Sequence, residues 1–324
     1  MSTLSPDHQA ILRALAYYDV FSYPLTTEEV RRWAAPPSGQ SLTMRTVEEY
    51  DSTIQALEQG GRLERHSQYL TLPGRSEIVT TRAERQRAGV KKWKRAESTA
   101  RFLELVPFVR LVAVVNTLAI DNARPESDID LLIVTAPHHI WITRLIVTGI
   151  VSLLGYRRSG GRAATNVANR VCLSFYVTTD GMKMEQLKRE ADDPHFAFWT
   201  AQAVPLLDDQ TYEKYRAANS WVTTLLPNAW DWDWKRRLLV PNAGLRGIKQ
   251  FYEVFFSTPI GLWVENWARQ RQLSRFEHDT NSKAKEGNTD VVISEDVLKF
   301  HEVDRRLEYR SAFYARLDEL GLSR

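Results

Sequence analysis

Apolar positions early in the chain recur at helical spacing: Ile11, Leu12, Leu15 and Tyr18 fall on one face, and Val47, Tyr50, Ile54 and Leu57 on another. Tyr23-Pro24 interrupts the pattern between them. Thr26 or Thr27 is placed to cap an intervening helix, with Glu28 and Glu29 in its first turn, where the helix dipole favours negative charge. The third helix ends at Gly60-Gly61. Arg62 to Leu72 then alternates around a polar tip, which predicts a two-stranded hairpin. Thr80 to Leu105 reads as one long helix. Beyond it the pattern changes to short runs, Leu111 to Val115, Leu131 to Val134 and Val171 to Thr178, apolar on both faces as in strands covered on two sides. His139 to Leu154 is an apolar helix, too short to span a bilayer and carrying Arg144, so it is expected to pack on the sheet, and no membrane partner is expected. From Lys183 the chain reads as helical over Glu185 to Asp193, Phe196 to Leu207 and Asp209 to Asn228. Leu245 to Trp267 continues with Phe251, Phe255, Phe256, Leu262 and Trp263 as an apolar face. Most of Trp199, Trp221, Trp230, Trp232 and Trp234 are expected in the core. Arg275 to Asp290 lacks periodicity and reads as a loop.

These elements divide the chain into residues 1–75, which look like a winged helix; 76–106, a connecting helix; 107–182, a small mixed sheet flanked by helices; and 183–324, a helical C-terminal region. The fold class expected is α/β (α+β), and 324 residues suffice for several domains. The helix in the recognition position carries Glu48, Glu49, Asp51 and Glu58 beside Arg45, a face that phosphates repel, so docking is expected of it ahead of DNA readout. The connecting helix instead has a dense basic face: Arg82, Arg85, Arg87, Lys91, Lys92, Lys94, Arg95 and Arg101. It is either a solvated connector or a nucleic-acid contact through residues 82–101. The net charge of +3 does not decide between them. The one cysteine, Cys172, forms no intramolecular disulfide and reads as a buried structural thiol, which fits a cytoplasmic protein. The opening MSTLSPDHQA lacks a basic segment followed by an apolar run, so no signal peptide is expected.

The chemistry concentrates between Leu111 and Thr135. Asp128 and Asp130 share one face at the start of a strand because side chains alternate. Two carboxylates there disfavour each other's ionisation unless a cation joins them. Mg²⁺ (or Mn²⁺) takes hard oxygen ligands and leaves positions for water and substrate phosphates. An Asp-x-Asp alone is also an ordinary solvated strand start. The preceding strand, the hydroxyl-bearing helix start at Asn116-Thr117 and the apolar run after the acids make this pattern more specific.

Asn116-Thr117 followed, nine residues on, by Ser127-Asp128-Ile129-Asp130-Leu131 resembles the polymerase-beta-type nucleotidyltransferase superfamily. In that superfamily a Gly-Ser pair heads a helix and an Asp-x-Asp strand binds two Mg²⁺ ions and a nucleoside triphosphate; here the pair reads Asn-Thr. The resemblance implies catalytic, metal-binding Asp128 and Asp130, with Asn116, Thr117 and Ser127 at the substrate. It also implies a third carboxylate on a neighbouring strand. Val171 to Thr178 matches that strand and has no acid, leaving Ser174 or Asp180 to face the site. The stretch from Val291 resembles the C-terminal part of a bacterial subgroup of the superfamily. There Lys299, His301, Asp304 and Arg305, read as helical, form either a salt-bridge network or a wall on which Lys299 or Arg305 meets the triphosphate. The activity implied is transfer of a nucleoside monophosphate from an NTP to a hydroxyl acceptor, which is RNA, a protein or a small molecule, with release of pyrophosphate. The alternatives are a catalytically degenerate nucleotide-binding or winged-helix regulatory protein, and a toxin/antitoxin-type nucleotidyltransferase.

Overall fold

The computed structural model describes residues 4–158, 167–277, 291–300 and 304–323. Helix α1 (Pro6–Asp19) starts where the Ser5 hydroxyl accepts from the His8 N–H, with Pro6 in the first turn. Strand β1 (Leu25–Thr26) leads into α2 (Thr27–Trp33), and Thr26 caps it in a reciprocal pair with Glu29. Thr46 and Glu49 repeat that device at α3 (Val47–Gln59), which ends at Gly60. The hairpin β2 (Glu64–His66) and β3 (Tyr69–Thr71) follows, and β1 joins it in a three-stranded antiparallel sheet ordered β1-β3-β2.

The long helix α4 (Glu77–Leu103) runs to β4 (Val109–Val114), the single turn α5 (Asn116–Ala119), β5 (Ile129–Thr135), α6 (Ile140–Leu153) and β6 (Val171–Thr178). Then come α7 (Pro194–Ala201), β7 (Val204–Asp208), α8 (Tyr212–Ala218), α9 (Ala243–Phe256), α10 (Pro259–Glu277), β8 (Val291–Ile293), β9 (Val297–Phe300) and α11 (Arg306–Leu320). The second sheet is six-stranded and mixed, ordered β7-β4-β5-β6-β9-β8, with β5 and β6 parallel and the other pairs antiparallel. Alternation divides its side chains cleanly. Val112, Val114, Leu131 and Ile133 pack toward α4 and α6, while Leu111, Ala113, Leu132 and Val134 pack toward α7 and α8. Helices thus cover the sheet on both faces.

The structure departs from the sequence reading in several places. Glu185 to Asp193, expected as helix, keeps only the short 3-10 turn Met184–Leu187. Val204–Asp208, expected as helix, is an edge strand. Pro205 is tolerated there because β7 pairs only with β4 and needs no donor on its outer side. Val291–Phe300, also expected as helix, forms the β8–β9 hairpin, turned by Ser294, whose side chain accepts from the Asp296 and Val297 N–H groups. The C-terminal region therefore supplies three strands and is not purely helical. The N-terminal helices do not close a core of their own: Tyr17 stacks on Phe198 at 3.6 Å, and the same cluster takes in Leu226, Phe313 and Leu317.

A further departure concerns α4, whose basic face is largely engaged internally. Arg82 is buried against Glu29 at 2.6 and 2.9 Å, and Arg85 donates to Phe21 O and Asn122 Oδ1. Lys92 and Arg95 both hold Asn169, and Arg101 donates to Val240 O. Arg87, Lys91 and Lys94 stay exposed. Of the loop expected over Arg275 to Asp290, residues 278–290 lie outside the described residues, as does His301. Among the described residues, no helix is long and apolar enough to cross a membrane.

Candidate functional site

A cleft of about 500 Å³ opens at the N-terminal end of β5. One wall is the turn from β4 into α5 together with the acids, and the opposite wall is the end of β9 with the start of α11. Phe175, Phe196 and Trp199 give it an apolar floor, and Tyr17 from α1 and Phe21 from the turn after it reach its rim. Asn116, Thr117, Ser127, Asp128, Asp130, Lys299 and Arg305 all line it, which brings together sequence-derived candidates from three separate stretches.

The acids are held from behind. Buried Lys92 donates its ammonium to the carbonyls of Pro125 (3.1 Å) and Ser127 (2.5 Å), fixing the loop that delivers Asp128. The Asn169 N–H donates to Ser127 O, and the Ile129 N–H donates to Arg170 O, which locks the strand start. The Ser127 hydroxyl turns back to Arg124 O. Asn116 adopts φ 60, in the left-handed region that asparagine enters more readily than most residues. Asn116 Nδ2 donates to Asp130 Oδ2 at 2.7 Å, and its Oδ1 accepts from Trp199 Nε1 at 2.6 Å. Thr117 is exposed at the cleft mouth.

Asp128 meets the guanidinium of Arg158 at 2.6 Å. Burial and the neighbouring Asp128 charge push the Asp130 carboxyl up to about 6, against the pull of Asn116, Cys172 and Arg158. The register places Cys172 beside Asp130, and ligand atoms of Asp128, Asp130 and Cys172 all lie within 4.8 Å of one another. Cys172 is thus half-buried against the acids and is not a plain core thiol, which corrects the sequence reading. Burial, then Asp130 and Asp128, push its thiol pKa up. A register shift between Asp130/Cys172 and Leu132/Phe175 sets Ser174 aside: it bonds the Cys172 thiol and is not among the residues lining the cleft. Asp180 lies past Thr178, which pairs with Thr135 at the far end of the parallel pair, roughly 25 Å from the acids at strand rise. Neither supplies the third carboxylate that the sequence resemblance implied; among the described residues the third potential ligand beside Asp128 and Asp130 is the Cys172 thiol.

On the facing wall, Lys299 is not a free phosphate contact. It is 2% exposed, on β9 beside Phe175, and donates to Asp304 Oδ2 at 3.1 Å. Arg306 bonds the same oxygen at 2.7 Å and reaches Asp193 at 2.9 Å. Burial would raise the Asp304 carboxyl, but Lys299 and Arg306 outweigh it and hold it at about 2. Arg305 is the exposed cation of this wall, paired with Glu308 at 2.7 Å. His195 also lines the cleft, bonded through Nδ1 to the Tyr17 hydroxyl at 2.8 Å, and burial lowers it to about 4, so it is neutral near pH 7. His139 is remote from the acids, stacked on Phe108 at 3.6 Å after the far end of β5.

The donor chemistry fits one hard divalent cation: two carboxylates, Asp128 and Asp130, with open cleft beside them for water and phosphate oxygens. Among the described residues the third group beside these carboxylates is the Cys172 thiol, a soft ligand and not the hard oxygen that a second Mg²⁺ would use. Arg158 and Cys172 were missed in the sequence. The signal for Cys172 was a thiol near the start of a strand whose parallel register matches Asp130; Arg158, beyond α6, carried none. A scan against protein-family models and searches of curated proteins and of solved structures find no match to this chain.

Proposed function

We propose that the chain is a metal-dependent nucleotidyltransferase that joins a nucleoside monophosphate from an NTP to a hydroxyl acceptor. One observation carries the reading: Asn116-Thr117 and the Asp128/Asp130 pair meet at the mouth of a single cleft, with Asn116 in the left-handed turn and bonded to Asp130. Asp128 and Asp130 hold a single Mg²⁺ or Mn²⁺, which when bound neutralises the triphosphate charge that grows during transfer. Asn116, itself fixed by Trp199, aims the Asp130 carboxylate into the cleft. The Thr117 hydroxyl offers a donor to phosphate oxygens, Phe175 and Trp199 offer apolar surface to a base, and Arg305 stands across the cleft for the acceptor or phosphate tail. The order helix, strand, helix, helix, strand, strand over α1 to β3 supports a winged-helix reading of the N-terminal part. Its exposed Glu48, Glu49 and Asp51 argue for protein docking ahead of DNA.

A second reading, nucleotide binding without transfer, is favoured by the Cys172 thiol in the third ligand position and by Arg158 on Asp128. The two separate in one assay. With NTPs labelled at the α-phosphate, and RNA, protein and small hydroxyl compounds as acceptors, transfer predicts label on one acceptor class and stoichiometric pyrophosphate, both lost in Asp130→Asn. Nucleotide binding with neither product, from folded protein, establishes the second reading.

A further inference from the structure

Part of the cleft lining has no role in holding the cation or the triphosphate. Phe21, just beyond α1, His195 on α7 and Tyr309 on α11 come from three separate elements and line the same cavity, each of them half-buried. Their rings touch. Phe21 and Tyr309 lie 5.0 Å apart between centroids, His195 and Tyr309 4.8 Å, and Phe21 and His195 5.7 Å. That spacing leaves no slot for another ring between them, so the cluster is a platform open only toward the cleft. The single turn α5 connects it to the acids. Asn116 at its start bonds Asp130, and Ile120, one turn and about 6 Å further along, packs on the cluster that takes in Tyr17 and Phe21.

His195 gives the platform one directed polar atom. Among the described residues the Tyr17 hydroxyl has His195 Nδ1 as its one hydrogen-bond partner, and Tyr17 is buried. A buried hydroxyl hydrogen needs an acceptor, so Tyr17 donates and Nδ1 accepts. The imidazole hydrogen therefore sits on Nε2, which has no partner among the described residues and is not sealed from solvent. Charge then selects the sign of the ligand. Outside the acidic pair, the charged side chains lining the cleft among the described residues are Lys299, Arg305, Arg306 and Asp304. Asp304 is closed off between Lys299 and Arg306, whereas Arg305 stands exposed beside Glu308. A flat ring with hydrogen-bond acceptors on its edge and an anion attached finds a partner for each part. A cationic amine finds no open carboxylate on this wall.

We propose that this platform holds the acceptor, and that the acceptor is a nucleotide unit. Its base lies on Phe21 and Tyr309, an acceptor atom on the base edge takes the His195 Nε2–H, and its phosphate meets Arg305. This assignment rests on the nucleotidyltransferase reading and names the substrate class of that site. Trp199, tied to the acids through Asn116, remains for the base of the triphosphate. In the transfer, the acceptor hydroxyl oxygen bonds to the α-phosphorus and the bond from that phosphorus to the bridging β-oxygen breaks. Pyrophosphate leaves, and the hydroxyl proton passes to water. A free mononucleotide and the 3′ end of a nucleic-acid chain share this chemistry.

The test is fluorescence anisotropy of a labelled short single-stranded RNA with the full chain and Mg²⁺, competed by adenosine 5′-monophosphate, beside calorimetric titration of NTPs. Native protein is expected to bind the RNA. Tighter binding of RNA than of the mononucleotide assigns a chain end, and equal binding assigns a free nucleotide. Tyr309→Leu, which keeps an apolar contact for Phe21 and removes the ring, is expected to weaken binding by about tenfold. His195→Phe, which keeps a ring and removes the N–H, is expected to weaken it by about fivefold, with no matching loss of NTP affinity in either variant. A folded native chain that binds NTP but neither RNA nor the mononucleotide overturns the proposal and leaves the transferase reading standing. No NTP binding overturns that reading and the acceptor role with it. The proposal is also overturned if both variants bind RNA as native protein does, or if Tyr309→Leu loses NTP and RNA affinity equally, which would place the donor base on the platform. Transfer of α-phosphate label to protein in place of RNA or mononucleotide overturns it as well.

Discussion

Replacing Asp304 by asparagine withdraws a carboxylate from between two buried cations while leaving the side-chain shape nearly unchanged. In the native cluster Asp304 Oδ2 accepts from Lys299 Nζ at 3.1 Å and from Arg306 Nε at 2.7 Å, and its Oδ1 accepts the Arg306 N–H at 3.0 Å. The three side chains are only 3–7% exposed. Breaking such a buried pair from one side costs about 3–5 kcal/mol. Arg306 retains Asp193 and Leu187 O, which argues for the lower end. The carboxyl held at about 2, against an ordinary 3.8, gives a second route to the magnitude: about 2 kcal/mol once solvent screening is allowed for. Because the folded-state value is depressed, this stabilisation is fully present above the ordinary aspartate range and is lost as pH falls through about 2. Urea unfolding at neutral pH should therefore show Asp304→Asn destabilised by about 2–3 kcal/mol. The gap to native protein should shrink as pH falls below about 4. A variant as stable as native protein at neutral pH, with metal-dependent nucleotide binding lost, would refute the structural role assigned to the cluster and return Lys299 to the substrate.

Two further outcomes follow from the acidic pair. Asp130 in the ion-free protein keeps a proton up to about pH 6, whereas an unfolded aspartate releases it near 3.8, so the stability of that form falls as pH rises across this window. A cation must displace the proton, and calorimetric Mg²⁺ affinity should be about tenfold weaker at about pH 5 than at neutral pH, where a flat profile contradicts the assignment. Arg158→Ala removes a partly exposed guanidinium from Asp128 and should tighten Mg²⁺ binding by about fivefold, read by the same titration; unchanged or weaker binding counts against competition between Arg158 and the ion.

What the sequence made legible was local. The acids, their strand and the Asn116-Thr117 turn sit within one short stretch, and strand β6 emerged with the bounds Val171–Thr178 expected of it. The caps at Thr26 and Thr46 follow from residue types three apart. What escaped depended on who meets whom in space. Cys172 reaches the acids only because β6 runs parallel to β5 in a register that sets it beside Asp130, and Arg158 arrives from the far side of α6. The strands of β8 and β9 are three and four residues long, too short for periodicity to separate strand from helix. In α9 the apolar period was visible but its direction was not. A stripe predicts a covered face, and only the ion pairs of Lys249 and Glu253 with Asp209 and Arg110 turn the polar side inward. The basic face of α4 misleads for a related reason, since Arg82 and Lys92 are internal fasteners whose partners lie far along the chain.

The central claim is that Asp128 and Asp130 bind a nucleoside triphosphate through a divalent cation. The most direct measurement is calorimetric titration of each NTP into the native chain with Mg²⁺ and with chelator, beside Asp128→Asn/Asp130→Asn. The account predicts binding that requires the cation, prefers one base and disappears in the double variant. NTP binding of equal strength with chelator, or in the folded double variant, would contradict it, as would no binding of any NTP to the folded native chain.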